Sequence, residues 1–88
     1  MNFENLPFVI MAQNGKVKDT WRVVSTGDYD QDCALGRKHF RALMLVMNAT
    51  SNPLYLVRVI EGQAAKYATW GGIEAGFLSA MSDELSSL

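Results

Sequence analysis

Residues 28–62 constrain this chain more than any other stretch: DYDQDCALGRKHFRALMLVMNATSNPLYLVRVIEG. The spacing predicts two helices joined by a sharp break. Asp28 stands where an N-cap carboxylate can accept a bond from a free first-turn N–H, and Gln31 follows three residues on, as in a capping box. Asp30 and Asp32 place negative charge at the positive end of the helix dipole. Cys33, Gly36, Phe40, Leu43, Met44 and Met47 recur at spacings of three and four and define one apolar face. Arg37, Lys38, Arg41 and Asn48 mark the wetter side, while Leu35, Ala42, Leu45 and Val46 widen the stripe beyond the needs of a solvated helix. The first helix, 29–48, is therefore central to the fold or meets a second subunit.

The break falls at Asn48–Pro53. Proline has no N–H to donate, so Pro53 suits the first position of a second helix, with Asn52 as its cap. That helix is expected over 53–61, ended by Gly62 in the left-handed C′ position. Leu54, Leu56, Val57, Val59 and Ile60 leave only Tyr55, Arg58 and Glu61 as solvent contacts, so the segment reads as mostly buried.

Met1–Leu6 reads as a loosely held arm with Phe3 and Leu6 as anchors. A β-prone run, Phe8–Gln13, precedes Asn14-Gly15, a dipeptide that tolerates positive φ and signals a hairpin. A two-residue turn there opposes Ala12 to Val17, Ile10 to Asp19 and Phe8 to Trp21, within a hairpin spanning about 8–24. The competing reading is a helix over 6–13. After Gly62 the chain reaches a corner at Gly71-Gly72, with Trp70 tucked in before it. A third helix over 72–85 carries an Ile73, Phe77, Met81, Leu85 stripe. Beside it Gly72, Gly76 and Ala80 allow another backbone to come close. The expected fold class is α+β, an N-terminal hairpin on three helices, in a single domain over 1–88. A two-stranded hairpin is barely stable alone, so it must lie on the helices or pair with another copy.

The 88 residues suffice for one modest core but not for a core plus a deep cleft. A net charge of −1 offers no basic field for nucleic acid or an anionic membrane. One cysteine excludes an intrachain disulfide and fits a reducing cytoplasm. There is no signal-like N-terminus and no apolar run of the ~18 residues a membrane span needs.

Catalysis needs converging polar groups. The single histidine, His39, reads as a partly exposed helix residue, on a different face from Cys33. Without CxxC, HxxxH or a second histidine, no metal site is expected. Asp28, Asp30 and Asp32 share the spacing that opens a calcium loop but lack its glycine and distal glutamate. No cofactor and no enzymatic activity are expected.

Residues 28–62 have the outline of a helix-turn-helix DNA-binding regulator, but the second helix offers base edges only Tyr55, Arg58 and Glu61. The surplus of apolar side chains favours the other reading: a cytoplasmic protein–protein interaction or accessory module acting as a homo-oligomer, with a second copy as the simplest partner (a homodimer) and another protein as the alternative. Its contact residues are expected to be Tyr55, Arg58, Tyr67 and Trp70, with Arg37 and Arg41 as a polar rim.

The segments GDYDQDCALGRKHFRALM, TSNPLYLV and GGIEAGF resemble a group of short, uncharacterised bacterial and phage-type proteins, over roughly residues 26–80. The resemblance carries no activity and no functional residue. It implies a small intracellular accessory protein.

Overall fold

The computed structural model describes residues 2–87. A short antiparallel hairpin, β1 (Ile10–Met11) and β2 (Val17–Asp19), is followed by three helices: α1 (Tyr29–Thr50), α2 (Leu54–Ala64) and α3 (Gly72–Ser86). The α+β class and the element order are those expected from the sequence.

The hairpin differs in detail. Ala12 N donates to Lys16 O at 2.8 Å and Gly15 N to Ala12 O at 3.1 Å, with Gly15 at φ 79°. The loop therefore holds three residues, not two, and Met11 rather than Ala12 opposes Val17. The Asn14 side chain favours this loop by accepting from Lys16 N at 3.0 Å. An irregularity between Ile10 and Met11 absorbs the one-residue slip and returns Ile10 to Asp19. Pairing stops far short of 8–24 because the chain turns inward: Phe8, Val9 and Trp21 are all buried. The Trp21 N–H bonds back to Asp19 Oδ1 at 3.0 Å. Beyond the strands, one bond still joins the two arms of the hairpin, from Arg22 N to Phe8 O at 2.8 Å.

Asp28 caps α1 as expected, accepting from Gln31 N at 3.0 Å. The helix runs two residues beyond 48 and ends at Ser51, in the left-handed region at φ 53°. Its buried face is Asp32, Gly36, His39, Phe40, Leu43 and Val46. That stripe is rotated from the expected one, and Cys33, Met44 and Met47 are only half-buried. The rotation follows from glycine. A Cβ on Gly36 would overlap the Ile73 carbonyl, and a Cβ on Gly76 would overlap the Cys33 carbonyl. The backbones of α1 and α3 thus touch at both glycines, and the closest seam lies on the Gly36 side of the helix. The small-residue row on α3 receives another backbone, as expected, and that backbone is α1 of the same chain.

Gly62 does not terminate α2. It lies inside the helix, where a Cβ would collide with the Thr20 side chain. Helical bonding then continues to Ala64. Thr20 Oγ1 donates to Arg58 O at 2.9 Å across the same approach. Asn52 Oδ1 accepts from Leu54 N at 3.1 Å just ahead of α2, but the helix begins at Leu54, one residue after the expected start, and Pro53 rather than Asn52 takes its N-cap position. Trp21 sits at the centre of the core. Its ring lies 5.1 Å from Phe77 and 5.2 Å from Phe8, and its Nε1 donates to buried Glu74 Oε2 at 2.8 Å.

Candidate interaction surface

The six residues expected to form one contact surface lie in three places. Tyr55 stacks on Phe3 with ring centroids 4.4 Å apart and planes at 10°, and the Arg58 guanidinium lies 5.1 Å from the centre of the same ring. Both hold the N-terminal arm, whose Phe3 and Leu6 are buried around a 3-10 turn, Phe3–Asn5. The arm is docked, not loose. Tyr67 and Trp70 belong to the turn after α2, with rings 4.9 Å apart. Trp70 Nε1 donates to Gln63 O at 2.6 Å, while Tyr67 is 71% exposed. Arg37 ties α1 to α3, donating to Ser79 Oγ at 2.7 Å and pairing with Asp83 at 3.2 Å. Arg41 is exposed beside it, in a shallow groove of about 200 Å³ with Phe40, Ala80 and Glu84. No hydrogen bond, ion pair or ring contact links the three groups among the described residues.

The largest apolar exposure on α2 lies elsewhere. Only Val59 and Gln63 of that helix are buried; Leu54 is 65% exposed and Val57 50%. The expectation of a mostly buried second helix is therefore corrected. The helix covers the core with one narrow stripe because Gly62 brings it against Thr20, and its opposite side is exposed, with Arg58 alone there shown against a ring of the arm among the described residues. Arg58, Glu61, Ala64 and Ala65 share the exposed side with Leu54 and Val57. A groove of about 350 Å³ lined by Met44, Met47, Asn48, Ser51 and Pro53 opens where α1 hands over to α2. Leu54 and Val57 escape a sequence reading that takes apolar for buried; their spacing of three was the available signal.

A wider groove of about 640 Å³ lies between the irregular stretch 21–29 and the start of α3, and includes Lys66, Thr69 and Gly71–Glu74. Of its charged groups, Asp32, Glu74 and Lys66 are bonded within the fold, while the Arg22 side chain is exposed and makes no hydrogen bond or ion pair among the described residues. Asp32 accepts from Ser25 Oγ at 2.5 Å, Thr26 N at 2.8 Å and Thr26 Oγ1 at 2.8 Å, and the Ser25 bond leads in holding its pKa below the usual 3.8. Glu74 Oε1 accepts from Gly71 N at 2.8 Å and so caps its own helix. Lys66 Nζ donates to Asp19 Oδ2 at 2.6 Å and to the Trp21 carbonyl. For Asp19, burial raises the pKa, but the Lys66 bond, the Trp21 N–H and the nearby cationic charges outweigh it, and the net direction is down.

His39 is buried rather than partly exposed. Its ring lies 4.9 Å from Phe8 and 5.9 Å from Trp21. Burial, and to a lesser degree Lys38, holds its pKa below 6.5. Among the described residues no three His, Cys, Asp or Glu side chains are grouped to hold a metal ion, and no helix is long and apolar enough to cross a membrane. Comparison of the chain with family models, with curated proteins and with solved structures finds no match.

Proposed function

We propose that this chain is a small cytoplasmic accessory protein that acts through protein–protein contact without catalysing a reaction, and that its first partner is a second copy of itself. The observation that carries this reading is the exposed side of α2, where Leu54 and Val57 stand in solvent at 65% and 50% exposure. Large apolar side chains left exposed together on one helix face favour a contact site. The polar groups best placed for chemistry support the same reading, since Asp32, Glu74 and Lys66 are bonded within the fold. Tyr67 remains a candidate contact residue. Tyr55, Arg58, Trp70 and Arg37 carry structural duties as well, so changing them tests folding along with contact.

The test is the solution mass across a dilution series, by light scattering after size exclusion. A mass of twice 9.8 kDa is expected at high concentration. Leu54→Asp and Val57→Asp each shift the chain to monomer while the helical circular dichroism stays at the parent level. A parent that remains monomeric at every concentration rejects self-association.

A further inference from the structure

We infer that α2 pairs with α2 of a second copy, antiparallel about a two-fold axis, with Arg58 of each copy facing the partner's Glu61. This rests on the self-association reading and specifies its geometry. The exposed side of α2 carries Leu54, Val57, Arg58, Glu61, Ala64 and Ala65. It has one cation and one anion, and neither takes part in an ion pair within the chain among the described residues. Large apolar groups stand at its N-terminal end and small ones at its C-terminal end.

An axis passing between Val59 and Ile60 turns that asymmetry into complementarity. It sets Arg58 against the partner's Glu61 and Leu54 against the partner's Ala65, and each contact occurs twice, as an isologous interface requires. The alanines leave room for the leucine and let the two helices approach closely. A parallel arrangement would place cation beside cation and leucine beside leucine, so charge selects the antiparallel one. The Arg58 guanidinium lies 5.1 Å from the centre of the Phe3 ring and is otherwise exposed, so its reach toward the partner's Glu61 starts from the flank of the helix that meets the arm.

The experiment measures the dimer dissociation constant by sedimentation equilibrium for the parent, Arg58→Glu, Glu61→Arg and the double variant, at low and high salt. Each single variant places like charges together twice per dimer and is expected to weaken association about tenfold at low salt, with less effect at high salt. The double variant restores opposite charges and returns the constant to within roughly threefold of the parent. Arg58→Glu also removes a contact to Phe3, so Glu61→Arg carries the test by itself, with circular dichroism as the check on folding. A dimer that tolerates both single variants overturns the pairing and leaves self-association standing on another face. Single variants that weaken association without recovery in the double also overturn it. A monomeric parent removes the pairing and the self-association together.

Discussion

The α1–α3 seam and the outer side of α2 are written in similar residues, small and apolar ones at helical spacing, yet one is closed and the other open. At the seam, Gly36 and Gly76 let carbonyl oxygens of the opposite helix occupy the space a Cβ would take. On α2, Ala64 and Ala65 have the same small size but face solvent beside Leu54 and Val57. Small residues permit close approach; they do not supply the partner. What closes the first surface is the irregular chain from Trp21 to Asp28, which delivers Trp21 onto α3 and fixes the start of α1 through Asp32. Among the described residues no comparable strap covers Leu54 and Val57 on the outer side of α2.

The contrast can be broken most severely at the seam. Gly76→Ala puts a methyl into the Cys33 carbonyl and forces the helices apart, and is expected to cost about 3 kcal/mol or more in urea unfolding. Trp21→Phe removes the donor to buried Glu74 Oε2 and should cost roughly 2 kcal/mol. A unit change in the opposite direction is expected at Gln63, whose side-chain nitrogen and oxygen are buried without partners. Gln63→Met should raise the unfolding free energy by about 1–2 kcal/mol, and a loss instead would reveal a partner for that amide.

Acid provides a milder probe. His39 has its pKa lowered in the fold, so the unfolded chain binds the extra proton more readily. Stability is therefore full above 6.5 and declines as pH falls below it; His39→Leu should flatten the urea midpoint between pH 7.5 and 5.5. Asp32 and Asp19, also lowered, act in a separate window, losing their contribution below 3.8. The smallest effect belongs to the open surface. In dilute monomer, Leu54→Ser should leave stability within about 0.5 kcal/mol, and a larger loss would mean that Leu54 is covered within the chain.

Much of the fold was legible because its signals are local. Asp28 and Gln31 sit at a helix start, Asn14-Gly15 at a hairpin loop, and Gly71-Gly72 at the corner that opens α3. The failures involve partners distant in sequence. Gly62 reads as a helix end until Thr20 is placed against it. His39 reads as a partly exposed helix residue until Phe8 and Trp21 pack on it. Asp32 reads as one more charge for the helix dipole until Ser25 and Thr26 donate to it. The candidate surface suffered in the same way. Tyr55 and Arg58 look free in the sequence, and the arm that claims them, centred on Phe3, begins more than fifty positions earlier. Leu54 and Val57 read as core in the sequence because helix composition does not reveal which side the tertiary contacts cover.

The contact between Gly36 and Ile73 has a further consequence, for the order in which the molecule is made. The principal seam joins the first helix to the last, so α1 can form early from its local signals but has no backbone partner until α3 exists. Closing that long loop precedes any gain from the seam, which places the chain among slower folders than its helix content alone would indicate. During synthesis Phe40 waits for its ring partner Phe77 while α2 and the turn behind it are made. The half-built molecule therefore offers other chains a stickier surface than the finished one does.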